Sequence, residues 1–378
     1  MQIKKKNDES LFQVRSHMRV YDVVFEKDFS FLNEYIKEDK RIFLIDRNVY
    51  VIYRKILFKQ LKKEDILLIN AKEEEKNLTT AMCIYDRLLL FNVKRKLKII
   101  AIGGGIIQDI GSFVASTLYR GVTLVCVPTT LLSQVDSCIG SKTSLNYKTF
   151  KNILGTFYPP YKVHIQQLFL RSLSEKDIYC GLGEIVKLQL MNMHNLGDIR
   201  TIEKGIQTVK EFIKARKTDM SWLIHASLQI KKQYIEIDEF DLGIRNLLNF
   251  GHEFGHALES ASEYHIPHGI GVTIGILFAN EVAQKRGLLS LNVGSKIENT
   301  LLLPSIPKSI LKKQYFSSAC LLEGMKKDKK RESNNLVIVV LKDNCHLEKL
   351  VNVSIEEFQY ALQAIIKLLF LPRKKEIV

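Results

Sequence analysis

The 378-residue chain contains no run of 18 or more apolar residues, and its opening stretch, MQIKKKNDES, lacks the apolar core of a signal peptide. Membrane insertion and secretion are therefore not expected, and the cytoplasm is the expected compartment. Six cysteines, Cys83, Cys126, Cys138, Cys180, Cys320 and Cys345, include no C-x-x-C pair, so they read as reduced thiols filling apolar space. There is no internal repeat and no low-complexity linker. Acidic residues are short in number, 41 against 56 basic, which leaves a net charge of +15. The basic clusters, Lys4 to Lys6, Lys94 to Lys98, Lys326 to Arg331 and Arg373 to Lys375, are scattered and carry little aromatic interleaving. That pattern suits a solvated lysine-rich surface and an anionic small substrate better than nucleic acid.

Length and an apolar content of 46% describe a globular protein of two domains. Strand-like runs alternate with helix-period segments over the first part. RIFLID (Arg41 to Asp46), DILLIN (Asp65 to Asn70), KIIAI (Lys98 to Ile102) and VTLVCV (Val122 to Val127) read as strands, with helices over Tyr50 to Lys63 and Thr80 to Asn92. This alternation predicts a parallel sheet. Beyond about Pro160 the strands nearly vanish and amphipathic helices follow, broken at Asn195 to Gly197, His265 to Gly269 and Pro304 to Pro307. The expected organisation is an α/β domain over 1–160 and an all-α domain over 161–378.

Asn249 to His268, NFGHEFGHALESASEYHIPH, places four of the nine histidines within 17 positions. His252 and His256, four apart, share one face of a helix, and His268 follows where the chain turns back at Ile266-Pro267. So dense a set of imidazoles points to a metal. The string HEFGH also fits the zinc-protease pattern H-E-x-x-H, with Glu253 as base, whereas the obvious further carboxylate lies far upstream at Glu184 in GLGEIVK.

In the first domain KIIAI runs into Gly103-Gly104-Gly105 and then a helix with Asp109 in its first turn. Glycines let a backbone approach a pyrophosphate closely, and the free amides of the helix start favour its charge. Asp46 and Asn48 end a neighbouring strand, where a carboxylate takes ribose hydroxyls or caps a helix; Thr129-Thr130 follows Pro128.

Together with PTTLLSQVDSCIGSKTSLNYKTFKNILGTFYPP (Pro128 to Pro160), GLGEIVK and DEFDLGIRNLLNFGHEFGHALE (Asp238 to Glu259), these motifs run in order from about Arg41 to Arg286. The chain resembles the 3-dehydroquinate synthase family of sugar-phosphate cyclases. The resemblance implies an NAD-binding α/β domain and a helical metal- and substrate-binding domain. It further implies zinc or cobalt, a homodimer, and a place in the shikimate route to aromatic amino acids. The activity implied is that of a carbon-oxygen lyase: oxidation of a C7 sugar phosphate by NAD, phosphate elimination, re-reduction, and intramolecular aldol closure. The expected reaction takes 3-deoxy-arabino-heptulosonate 7-phosphate to 3-dehydroquinate.

Residue by residue, the resemblance gives Glu184, His252 and His268 as metal ligands, and Lys187, His256, Lys142, Lys231 and Asp136 as catalytic groups. Substrate contacts fall on Lys151, Asn152, Arg245 and Asn249, on Arg120 reaching the neighbouring subunit's site, and on Lys329 and Lys330. Cofactor contacts fall on Asp46, Asn48, Glu73, Lys76, Gly103, Gly104, Gly105, Asp109, Thr129, Thr130, Leu132, Asp136, Lys142 and Lys151. The chain departs from the family at Gln108 and Ser141, usually glycine, at Asp241, usually glutamate, and at Ile270, usually acidic. These departures keep a valiolone or deoxy-inosose synthase as an alternative. An NAD-dependent metal polyol dehydrogenase is a further one, although it would typically carry aspartate in place of Glu184.

Overall fold

The computed structural model describes residues 10–90, 96–148, 150–326 and 335–371. They form two compact units, Met1–Leu173 with Lys232–Leu242, and Ser174–Lys231 with Gly243–Val378.

The first unit is built on strands β1 (Leu11–Arg15), β2 (Val20–Phe25), β3 (Arg41–Asp46), β4 (Ile66–Ile69), β5 (Lys98–Gly103), β6 (Thr123–Pro128) and, past the small β7 (Leu145–Tyr147) and β8 (Phe150–Leu154), β9 (Lys162–Ile165). Seven of them make one sheet in the order β1-β2-β9-β6-β5-β3-β4, parallel except for the β1-β2 hairpin. Helices α1 (Leu32–Ile36), α2 (Arg47–Tyr53), α3 (Leu78–Leu89) and α4 (Gly105–Thr117) connect them. A parallel sheet covered on both faces needs side chains that tolerate burial on both, hence the near-continuous apolar runs of β3, β5 and β6.

Boundaries depart from the sequence reading where tertiary packing intervenes. The helix expected over Tyr50 to Lys63 is the shorter α2, capped by Asp46 and ended after Tyr53. The consecutive Leu57 and Phe58 then both turn inward to a cluster with Phe31, Tyr35, Tyr53 and Phe169. The helix expected from Thr80 starts at Leu78 because Asn77 Oδ1 accepts the Thr80 N–H; its expected end, at Asn92, lies outside the described residues. The β1-β2 hairpin and β9 were not legible, and β9 lies past residue 160, in the sheet between β2 and β6.

The second unit is helical. It comprises α5 (Glu175–Met191), α6 (Ile199–Ala215), most of α7 (Ser221–Ile237), α8 (His252–Ala261), α9 (His268–Lys285), α10 (Leu291–Ile297), α11 (Ser318–Lys326) and α12 (Ile355–Phe370). One hairpin, β10 (Leu336–Leu341) with β11 (Leu347–Val353), is added where LVIVVL buries a run of β-branched residues. Helix α9 is apolar all round and buried from Gly269 to Asn280 without interruption, as a central helix must be. No helix among the described residues is long and apolar enough to cross a membrane.

Glycines bring α5 and α8 to backbone contact with α9. A Cβ on Gly183 of α5 would overlap the Gly269 carbonyl, one on Gly269 the Cys180 carbonyl, and one on Gly275 the Gly251 carbonyl. Gly269→Ala should therefore force the helices apart and lower stability by about 3 kcal/mol in urea unfolding. An unchanged midpoint would show that the contact is looser than described.

Arg286, at the end of α9, holds Glu357 of α12 through both carboxylate oxygens, at 2.5 and 2.8 Å. The Arg286 guanidinium, against a smaller opposing effect of burial, and the Ser354 cap keep the Glu357 carboxyl down near pH 2. A carboxylate depressed below its unfolded value contributes stability above about pH 4.3, and that contribution fades as pH falls towards 2. Glu357→Gln should cost about 1 kcal/mol at pH 7, with the gap to wild type closing between about pH 4.5 and 2 in pH-resolved denaturation.

Candidate functional site

The tight α5-α8-α9 packing decides where the histidines point. Gly251 takes a positive φ of 77° and ends the preceding turn, so α8 begins on His252 with His256 one turn later; α9 begins on His268 directly after Pro267. The ligand nitrogens of His252, His256 and His268 lie within 4.8 Å of one another. Across from them, fully buried on α5, stands Glu184. Its Oε1 is 3.4 Å from His268 Nε2 and 3.7 Å from His252 Nε2.

Glu184 carries the chemical information. Its two oxygens are buried and neither has an aligned hydrogen-bond donor. The Lys187 ammonium, one turn along α5, lies 2.5 Å from Oε2 as an ion pair, but without the alignment of a hydrogen bond. Burial opposes ionisation of Glu184, yet Lys187 and then His268 outweigh it and hold the carboxyl near 2.

Two of the imidazoles are fixed through their other nitrogen. His252 Nδ1 faces the Phe250 carbonyl at 3.2 Å, and His268 Nδ1 faces Glu259 Oε1 at 2.8 Å. Both Nε2 atoms are thereby turned towards Glu184. Burial, with Lys187 and the neighbouring imidazoles, pushes His252 well below its ordinary value. His268 goes the other way: burial works against its proton, but Glu259 and Glu184 raise it to about 10. A buried carboxylate without aligned donors, facing oriented imidazole nitrogens, is the donor set of a divalent cation, and these residues fit one.

Sequence reasoning counted Glu184, His252 and His268, and the structure brings them together with Lys187. It brings His256 into the same cluster, although that side chain is exposed. Glu259 was missed; its position seven after His252, two turns along one helix face, was the available signal. His265 stacks on Tyr315 instead of joining the cluster. Arg245, on the turn before Asn249, and Lys231, on α7, are both 7% exposed in this unit; Asn249 ends the turn Ile244–Asn249. Lys329 and Lys330 lie outside the described residues.

In the first unit, Asp46, Gly103 and Thr129 stand side by side at the carboxyl ends of β3, β5 and β6, the edge where open parallel sheets bind ligands. Gly104 and Gly105 line a cradle. A Cβ on Gly104 would meet the Thr130 methyl at 3.0 Å, and one on Gly105 would come within 3.5 Å of Ser137 Oγ. Thr130 and Ser133 exchange hydrogen bonds that start the turn carrying Leu132 and Asp136. Asp46 accepts the Asn48 N–H as a helix cap, so the capping alternative is realised, and burial raises its carboxyl.

Burial also raises Asp109, against the opposing Lys76 ammonium 2.7 Å away and the Ser144 hydroxyl at 3.0 Å. Ser144 also touches Asn152, and Lys151 lies 3.8 Å from Glu73. The β7-β8 hairpin thus docks on the Glu73 to Lys76 turn. Lys142 is paired with Asp241 at 2.7 Å, a partner the sequence did not reveal. Arg120 is not brought to the cradle: it precedes β6 at the opposite, amino-terminal edge of the sheet.

The Glu259 carboxylate orients His268, so Glu259→Gln should weaken Zn2+ binding about 10- to 100-fold in a chelator competition titration, and His268→Ala should lose the metal. Unaltered affinity in both would rule the cluster out as a metal centre.

Residues 66–180 match the model of the 3-dehydroquinate synthase N-terminal domain, and residues 181–331 that of the 3-dehydroquinate synthase C-terminal domain. A 3-dehydroquinate synthase of Clostridium tetani is 36% identical over 90% of this chain and 90% of its own. Among solved structures, a 2-epi-5-epi-valiolone synthase of Streptomyces hygroscopicus with NAD+ and Zn2+ superposes with a TM-score of 0.80 at 24% identity, covering 94% of this chain and all of its own (100%). A 2-deoxy-scyllo-inosose synthase complexed with carbaglucose-6-phosphate, NAD+ and Co2+ gives 0.76 at 24% identity, over 89% of this chain and 94% of its own.

Proposed function

The chain belongs to the 3-dehydroquinate synthase family, and from that we propose that it converts 3-deoxy-arabino-heptulosonate 7-phosphate to 3-dehydroquinate, as an NAD- and zinc- or cobalt-dependent carbon-oxygen lyase. The single observation that carries the metal half of this reading is Glu184, buried and without aligned donors, facing the Nε2 atoms of His252 and His268. The cradle of Gly103 to Gly105, with Asp46 and Thr129 on the same sheet edge and Asp109 on α4, supports the cofactor half. When bound, the metal would supply Lewis acidity to substrate hydroxyls and NAD a reversible hydride acceptor.

The chain's own residues then do the following. Glu184, His252 and His268 hold the ion; Lys187, 2% exposed beside Glu184, and the exposed His256 move protons next to it. Arg245 and Lys231 supply buried positive charge to a phosphorylated, carboxylated substrate, Arg245 as a planar fork and Lys231 as a point charge. Lys151, Asn152 and Asn249 are the remaining proposed substrate contacts. On the cofactor side, Lys76 keeps Asp109 in place and Asp241 keeps Lys142 in place; Asn48, Glu73, Thr130, Leu132 and Asp136 complete the proposed contacts. Arg120, at the far edge of the sheet, suits a contact made to a second subunit. The proposal includes a homodimer working in the cytoplasm on the route to aromatic amino acids.

Purified protein given NAD, Zn2+ and a panel of sugar phosphates should release phosphate without net accumulation of reduced cofactor. Stoichiometric NADH would instead establish a polyol dehydrogenase, and release from a different sugar phosphate would establish a paralogous cyclase. Arg245→Ala should lower kcat/KM by about 10²-fold with NAD affinity little changed, the loss expected for one charge-assisted clamp. An unaltered kcat/KM would place Arg245 away from the substrate.

A further inference from the structure

Gln108 lies one turn into α4, just past the cradle, and is 4% exposed. Its carboxamide is half satisfied. Oε1 accepts from Ser137 Oγ at 3.2 Å, whereas Nε2 is buried with no hydrogen-bond partner. Ser137 itself is exposed, and its Oγ lies 3.5 Å from where a Cβ on Gly105 would stand, so this hydroxyl borders the space opened by the third glycine.

A buried N–H donor without an acceptor is the more costly way to leave an amide incomplete, since an under-used carbonyl is tolerated more readily. The orientation described spends the Ser137 proton inward, on Gln108. Turning the carboxamide over would place Nε2 opposite Ser137 Oγ, leave Oε1 in place of the amide as the under-used group, and free the hydroxyl hydrogen to point into the cradle. The exchange moves no backbone. What favours it is an acceptor outside, and the oxygens of a dinucleotide laid along Gly104 and Gly105 are acceptors.

We propose that Ser137 and Gln108 form a two-residue cofactor-binding element, in which the Ser137 hydroxyl donates to an oxygen of the bound dinucleotide once the Gln108 carboxamide turns over to donate to it. This rests on the cofactor reading above. The element requires a carboxamide at position 108, where the resembled family usually has glycine.

The test is a double-mutant cycle on the full chain, with NAD+ affinity read by titration calorimetry and the melting temperature of the ligand-free protein read alongside. Ser137→Ala and Gln108→Met should each weaken NAD+ binding about 10-fold, the scale of one hydrogen bond to a charged group. The double variant should lose little more than either single one, because the two residues act through one hydroxyl. Gln108→Met should also melt no lower than wild type, since it removes the buried unpaired donor while keeping the side-chain length.

Wild-type affinity in Ser137→Ala would overturn the proposal, as would losses that add. Ser137 is exposed, so its alanine variant alone decides the matter should Gln108→Met fail to fold. No NAD+ binding by the wild type would instead bring down the cofactor reading, and the proposal with it.

Discussion

The second unit depends on three helices meeting backbone to backbone. Gly183, Gly269 and Gly275 leave no room for a side chain where α5 and α8 cross α9, because the atoms facing them are main-chain carbonyls that cannot rotate away. Only at that separation do a carboxylate on α5 and imidazoles at the starts of α8 and α9 come within 3.4 to 3.7 Å of each other. A methyl group at one crossing would push these side chains apart. Packing and chemistry are here the same constraint.

Folding to that geometry confines charge that water would otherwise solvate. Glu184 is fully buried, Lys187 is 2% exposed beside it, and the His268 proton is held by two carboxylates. Groups of this kind survive burial only with partners, and the pairing described is incomplete, since the Glu184 oxygens lack aligned donors. A divalent cation held by Glu184, His252 and His268 would supply the missing positive partner for the buried carboxylate. The residues that make the cluster costly to bury are also those that fit a cation.

The first unit solves a different problem by the usual means of a parallel sheet. Register alone sets Ile45 beside Ile102 and Gly103 beside Pro128, so three strand ends deliver Asp46, the glycine turn and Thr129 to one edge. The surrounding polar groups then hold each other: Lys76 with Asp109, Ser144 with Asp109 and Asn152, Glu73 with Lys151. The segment Lys232–Leu242 belongs to this unit through the N-terminal hairpin, where Glu239 accepts from Ser16 Oγ and the His17 amide, and through the Asp241 pair with Lys142. Burial pushes Glu239 up, but these donors hold it near 2.

The sequence determined whatever rests on local period and local chemistry. Apolar runs such as RIFLID and KIIAI read as strands of a parallel sheet, the four-residue spacing of His252 and His256 put both on one helix face, and a glycine run between strand and helix pointed to an anion cradle. Tertiary structure decided the rest, for reasons of distance along the chain. Leu57 and Phe58 left the helical path for a cluster that includes Phe169, and β9 joined the sheet between β6 and β2, the latter well over a hundred residues upstream. Glu259 became the residue that orients His268 only when α8 and α9 closed on each other. No periodicity could disclose that Gln108 keeps an unpaired amide against Ser137, because hydrogen bonds between side chains 29 residues apart exist only once the backbone has placed them.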